Sequence, residues 1–420
     1  MRNGRELGSV LRALLSGVLG CGMLAACGGG VAATGVAHPV EPVASADPSW
    51  SDRAVAAYLE GDFGRASAAA ANARQLDATD AHALEVAARV AMARLDGGRA
   101  VELLSGAHTP ALVRLRARAQ MTQGNLAEAL ADVESIDAHE PPDGWTAAML
   151  PVLRAAAGRH GYTTSGAAEA TLSFASSAPD ALATVSIDVD GHAVNALVST
   201  AAGTTVVDDA VSPAGTVLGR VALGALVVES VPAISRDLAD VSRAAGVEIG
   251  AVIGADLLVR LHATLDGPAR TVTFRTASAP PPTNGAQRLD LFAFEGTLLA
   301  VRASINEAPP AFFALDTSAA LPIALTTRAV RAAGVDPSSL ESPPGAPANI
   351  RIYQVPELHL GTTVVAGIPA VVGLVPDELA RIAGTRIDGL LGLLVLGQLI
   401  VTFDPESKSV LLSQPLPTDA

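Results

Sequence analysis

Cysteine is almost absent: the 420 residues contain two, Cys21 and Cys27, both at the extreme N-terminus. A disulfide framework is excluded, and so is a cysteine nucleophile in the body of the chain. Charge is scarce at 17% of residues, and its balance is acidic: 28 Lys and Arg against 42 Asp and Glu give a formal net charge of −14. That field repels polyanions, which argues against nucleic-acid partners and favours a soluble surface. No Gly-x-Gly-x-x-Gly dinucleotide loop, phosphate-binding loop or Gly-x-Ser-x-Gly elbow is present. The eight histidines lack metal-ligand spacing, and His82, His108 and His139 read as surface or packing residues of a helical section. No cofactor and no metal are therefore expected. What is abundant is apolar: half the residues are hydrophobic, enough for a sizeable core in two or three domains.

Residues 1–26 read as a processing segment rather than structure. Arg2, Arg5 and Arg12 precede and enter a mostly apolar run from Leu11 to Leu24, which is too short and too broken by Gly and Ser to span a bilayer. Leu24-Ala25-Ala26-Cys27 resembles the lipobox of bacterial lipoproteins. The resemblance implies cleavage before Cys27 and acylation of that cysteine, with an ordinary signal peptide cut beside Ala26 as the alternative. Acyl chains would anchor the protein firmly to a membrane, at about 0.8 kcal/mol per buried methylene. Gly28, where an Asp would signal inner-membrane retention, resembles the outer-membrane sorting pattern of Gram-negative envelopes. Cleavage would remove Cys21, three Arg and one Glu, taking the charge to −14 − 2 = −16.

Residues 27–48 are rich in Gly, Ala, Pro and Val without a period and read as a flexible tether. From 49 to 162 the pattern is helical and repetitive. Gly61-Asp62-Phe63-Gly64-Arg65-Ala66 is echoed by Leu95-Asp96-Gly97-Gly98-Arg99-Ala100 and again by Gly124-Asn125-Leu126-Ala127-Glu128-Ala129. The period near 34 resembles tetratricopeptide repeats, with Tyr58, Ala66, Ala73 and Leu76 at the packing positions. Such a stack implies either a concave surface for a protein partner or a brace for the C-terminal part of the chain. Pro141-Pro142-Asp143-Gly144 ends the third unit, ahead of a helix from Trp145 to Gly158.

Beyond residue 165 the period shortens to that of strands. Ala183 to Val198 alternates around Asp190-Gly191, a hairpin signal. Further strands are expected at Val227–Val231, Ala251–Ile253 and Thr271–Phe274. The scheme then repeats after a Pro-rich linker at 277–289: Leu298 to Ile305, a turn at Asn306-Glu307, and Ala311 to Leu315. The predicted fold class is α+β multidomain: N-terminal helical repeats, then an all-β bilobed unit with lobes at 180–276 and 290–415.

Two loops align across those lobes. Val198-Ser199-Thr200-Ala201-Ala202 corresponds to Leu315-Asp316-Thr317-Ser318-Ala319, and each is answered by an apolar-apolar-Gly step ending at Gly254 or Gly392. The 138-residue spacing of the two glycines recurs in Ala263-Thr264-Leu265-Asp266-Gly267 and Val401-Thr402-Phe403-Asp404-Pro405. The second copy carries 21 extra residues between its loop and its glycine, around Ser342-Pro343-Pro344-Gly345, where a flap would form or be replaced.

This duplicated pattern resembles the two lobes of a pepsin- or retropepsin-like aspartic protease. The resemblance implies that Thr200 and Thr317 lock the lobes together, that Gly254 and Gly392 support the loops, and that Asp316, Thr317 and Ser318 form the catalytic-type loop. Ser199, Thr200 and Ala201 form its degenerate counterpart, since Ser199 stands where a first carboxylate belongs and Ser318 where a Gly belongs. Ordinary proteolysis needs two carboxylates about 3 Å apart sharing one proton. One aspartate can act as a base but cannot at the same time protonate the departing amine, a loss of about 10²–10⁴-fold or more. Three readings are open. They are a catalytically impaired clamp for an extended polypeptide, an active aspartic endopeptidase using Asp316 (with pairing of Asp316 lobes in a homodimer as one route), and a structural scaffold in which Asp316 only caps loop amides and the helical repeats bind the partner. Asp208 and Asp209 read as solvated residues, and Asp256 as a surface or capping residue.

Overall fold

The computed structural model describes residues 48–413 apart from 138–142, 179–180, 213–215, 282–284 and 348. The proposed leader, Cys27, the tether, Pro141-Pro142 and His139 lie outside the described residues. Among the described residues, seven helices come first: α1 (Trp50–Leu59), α2 (Phe63–Leu76), α3 (Ala81–Ala93), α4 (Gly97–Leu103), α5 (Pro110–Gln123), α6 (Leu126–Asp137) and α7 (Gly144–Ala156). Each packs on the next. The recurring sequence motif marks the turn between paired helices. Gly61, Leu95 and Gly124, its first residue in each copy, all adopt a left-handed backbone with φ of 80°, 56° and 80°. Asp62 and Asp96 then cap the following helix, accepting the N–H of Arg65 at 3.0 Å and of Arg99 at 3.1 Å. Tyr58, Ala66 and Ala73 are buried as expected, whereas Leu76 is 79% exposed because its helix ends there in solvent.

Two closed six-stranded barrels come next. The first uses β3 (Thr184–Val189), β4 (His192–Val198), β5 (Val206–Asp208), β6 (Thr216–Leu223), β7 (Leu226–Arg236) and β8 (Ala251–Ile253), with β1 (Thr163–Gly166) added beside β7. Their neighbour order is β7-β5-β8-β4-β3-β6, and β6 pairs back to β7. The second uses β13 (Leu298–Ile305), β14 (Ala311–Asp316), β15 (Ile323–Leu325), β16 (Arg351–Leu360), β17 (Thr363–Val372) and β18 (Gly389–Gly392), with β12 (Phe292–Phe294) beside β13. Its order is β13-β14-β18-β15-β17-β16, with β16 returning to β13. Adding ten to each strand number of the first ring gives the second, so the sequence repeat is a repeat of topology. The turns agree too: Asp190-Gly191 and Asn306 take positive φ, as tight hairpins of this twist require. The extra residues of the second copy form a short helix α10 (Thr327–Ala332), a 3-10 turn at Pro337–Ser339 and the Ser342–Gly345 loop, all before hairpin β16–β17.

A third, antiparallel sheet joins the lobes. Its order is β11 (Gln287–Asp290), β20 (Ser409–Ser413), β19 (Ile400–Asp404), β9 (Thr264–Asp266), β10 (Thr271–Arg275) and β2 (Glu169–Ser173). The central pair places Thr264 opposite Thr402, and their hydroxyls hydrogen-bond at 2.9 Å. The first lobe therefore recruits a strand from Glu169–Ser173, before residue 180.

The helices do not hang free. Phe63 of α2 inserts among Phe292, Phe294 and Phe312, with ring centroids 5.3–6.0 Å away, and stacks on Tyr58 at 5.2 Å. Four of the eight phenylalanines in the chain meet in this one contact. Polar ties flank it: Arg302 donates to the Gly61 carbonyl at 2.5 Å, and Tyr58 Oη donates to Ala383 O at 2.8 Å. Burial pushes the Tyr58 phenol up to about 12, so it stays a neutral donor at physiological pH. Phe63→Ala is expected to lower the unfolding free energy by about 3–5 kcal/mol, read in a denaturant titration. A loss under about 1 kcal/mol would show that the helices are held elsewhere.

Candidate functional site

The site lies where β4 and β14 end, each strand running parallel to its supporting strand: Val198 pairs with Ile253 and Asp316 with Gly392. The two supporting glycines are forced by close approach. A Cβ on Gly392 would stand 2.0 Å from the Leu321 carbonyl oxygen, and one on Gly254 2.8 Å from that of Ala202. Corresponding backbone bonds, Ala255 N–H to Ala202 O at 2.7 Å and Leu393 N–H to Ala319 O at 2.9 Å, hold both loops identically.

The threonines clasp each other. Thr200 Oγ1 donates to Leu315 O at 2.7 Å and accepts the Thr317 N–H at 3.0 Å. Thr317 Oγ1 donates to Val198 O at 2.9 Å and accepts the Thr200 N–H at 3.1 Å. Both side chains are fully buried, at 0% and 2% exposure, so every one of these groups would be unsatisfied without its partner. This reciprocal arrangement puts Ser199 and Asp316 in matching positions on either side of the junction.

The matching positions are chemically unequal. Asp316 Oδ1 accepts from the Ser318 N–H at 2.9 Å and the Ser318 hydroxyl at 2.6 Å. Ser199 Oγ in turn donates to Ser318 Oγ at 3.1 Å and accepts the Ala202 N–H at 3.3 Å. A chain of hydroxyl donors thus runs from one loop to the other and ends on the carboxylate. Ser318, which occupies the place of a glycine, fills the gap between the two positions. Ala201, its counterpart in the first loop, has only a methyl and lines the cavity beside Asp316.

That cavity, about 120 Å³, is walled partly by the helical layer: Trp145, Ala148 and Met149 of α7 face it together with Leu315, Asp316 and Arg236. Helix α7 also packs on hairpin β6–β7 through a cluster that includes Leu150, Leu153, Val217 and Ile234. Sequence reasoning locates the loops but misses this wall. A signal is available, because Trp145 is one of only two tryptophans and follows an Asp143 whose carboxylate caps α7 through the Thr146 N–H at 2.7 Å.

Of the three other carboxylates, Asp209 is solvated as expected, Asp208 is not free as expected but binds backbone, and Asp256 is half-buried. Asp209 is exposed, but Asp208 accepts the backbone N–H groups of Ala210 and Leu238, each at 2.9 Å. Asp256, at the start of α9 (Ala255–Arg260), accepts from Tyr162 Oη and Thr205 Oγ1, both at 3.0 Å. Burial raises its pKa despite these donors. His82 and His108 are exposed, as expected.

Thr200→Val strands a buried carbonyl and a buried N–H and should destabilise the chain by about 2–4 kcal/mol in chemical denaturation, whereas Thr200→Ser should cost under about 1 kcal/mol. For Asp256 the folded pKa lies above the unfolded one, so stability falls as pH rises from the ordinary carboxylate range, about 3.9, through the raised value. The melting temperature of Asp256→Asn relative to the parent should therefore improve between about pH 3.5 and pH 7. A difference that does not change with pH would remove Asp256 as the cause.

No family model matches the chain, and no curated protein matches it. Among solved structures it is similar to a retropepsin-like aspartic protease from Rickettsia conorii, with 19% sequence identity over 30% of this chain and 90% of that one, at a TM-score of 0.24. A likeness at that level leaves the reading of the two lobes to their own geometry.

Proposed function

We propose that the chain is a lipid-anchored envelope protein whose two lobes form an aspartic-protease-type clamp that grips an extended polypeptide without cleaving it efficiently. The observation that carries this reading is Ser199, a buried hydroxyl at the position matching Asp316 across the threonine clasp. The lobe architecture and its clasp are intact while half of the acid–base pair is replaced by a group far too weakly acidic to protonate a leaving amine. Extended peptides suit such a cleft because their backbone can pair with strand edges.

An endopeptidase made by pairing Asp316 loops from two chains would have to release the four bonds between Thr200 and Thr317 and part the sheet that joins β9 to β19. The intramolecular partner already holds that place. Anchoring through Cys27, and an outer-membrane location, belong to the same proposal and rest on the sequence alone.

The test uses the chain from Gly28 onward with a mixed peptide library at several pH values between about 4 and 7. Retention without cleavage is expected, unchanged in kind by Asp316→Asn. The double change Ser199→Asp with Ser318→Gly restores a facing carboxylate and clears the bridging hydroxyl. It should raise cleavage by about 10²-fold or more over the parent, and Asp316→Asn should abolish that gain. Cleavage by the unaltered chain that disappears in Asp316→Asn would replace the clamp with an enzyme.

A further inference from the structure

A second cavity adjoins the cleft beside Asp316. Arg118, Trp145, Gly203, Thr204 and Thr297 line both its 120 Å³ cavity and a second one of about 660 Å³ at the junction of the helices with both lobes. The smaller space holds little more than one side chain. The larger lies within the range of ligand pockets, roughly 300–1,000 Å³, and has room for several residues of a peptide.

Two guanidinium groups reach the larger cavity, and they differ in how they are compensated. Arg118 forms an ion pair with Glu295, which also binds Arg89 at 2.6 Å. Arg260, at the end of α9, is held by neutral groups. Its Nη2 donates to the carbonyls of Met121 at 3.0 Å and Thr122 at 2.7 Å, and the guanidinium lies 4.1 Å from the centre of the Tyr162 ring. No Asp or Glu of the described residues forms an ion pair with it. Asp256, one helical turn earlier, gives its two oxygens to Tyr162 and Thr205 instead. Arg260 is thus half-buried and positioned on three sides, with no counter-ion among the described residues, in a cavity that shares part of its wall with the Asp316 cleft. With Nη2 committed to the Met121 and Thr122 carbonyls, Nη1 is the group left to donate to a carboxylate, a charge-assisted bond.

We propose that Arg260 receives a carboxylate of the bound peptide, so that the clamp selects peptides carrying a negative group several residues beyond the segment at Asp316. This inference rests on the clamp reading above. The carboxylate could be a free C-terminus or an acidic side chain; the chemistry is shared, and the experiment tells the two apart.

N-terminally fluorescein-labelled random hexapeptides are prepared as three pools: free C-terminal acids, C-terminal amides, and amides ending in Asp. Binding to the chain from Gly28 onward is followed by fluorescence anisotropy. The acid pool should bind about tenfold more tightly than the plain amides, and Arg260→Gln should reduce that ratio to about twofold or less without weakening the amides. Recovery of tight binding by the Asp-ended amides assigns the carboxylate to a side chain, and its absence assigns it to the terminus; either supports the site. Should Arg260→Gln fail to fold, Arg260→Lys and the parent carry the test: the lysine should keep part of the preference, and the parent's preference should shrink between about 50 and 500 mM NaCl. Equal binding of the acid, plain-amide and Asp-ended pools by the parent overturns this inference and leaves the clamp standing. Failure of every pool to bind overturns both.

Discussion

Everything that positions the candidate site depends on the mutual clasp of Thr200 and Thr317. Each hydroxyl gives its proton to a carbonyl of the opposite lobe and takes a proton from an amide of the opposite lobe. Neither loop can satisfy its own backbone without the other. The clasp therefore acts as a geometric reference point: it fixes where the first residue of each loop must lie, whatever that residue is. Ser199 and Asp316 inherit facing positions from it, and the difference between a hydroxyl and a carboxylate is then a difference in chemistry alone. The structure separates what holds the lobes in register from what would act on a substrate.

The helical layer adds a second constraint. Its aromatic anchor on the second lobe and its last helix on hairpin β6–β7 of the first lobe make it a bridge across both barrels. Trp145, Ala148 and Met149 consequently form part of the cleft wall. Five residues of that wall, Trp145 among them, also line the larger cavity that Arg260 reaches. The helices therefore line part of the space beside Asp316 as well as packing on both lobes.

Much of this architecture was legible in the residues. The alternating pattern around Asp190-Gly191, the repeated hairpin at Asn306 and the 138-residue offset between the two glycines each follow from local rules of turn geometry and close approach. The loop pair was legible because the clasp needs threonine at both positions. What could not be read was long-range. The contact of Phe63 with three phenylalanines more than 200 residues away has no local signature, and Asp256 looks like any acidic residue at a helix start until Tyr162 is brought against it. Leu76 fitted the repeat pattern and is nevertheless exposed, because a period in sequence predicts burial only where a neighbouring helix arrives to cover it.

The sheet shared by the lobes also bears on how the chain is made. Strand β9 finds its partner β19 only in residues 400–404. During synthesis the first barrel can close on itself while Thr264–Asp266 still presents an uncovered edge to the solvent. Such an edge invites pairing with a second nascent chain. The three-residue length of β9 keeps that edge small until the C-terminal strands emerge to cover it.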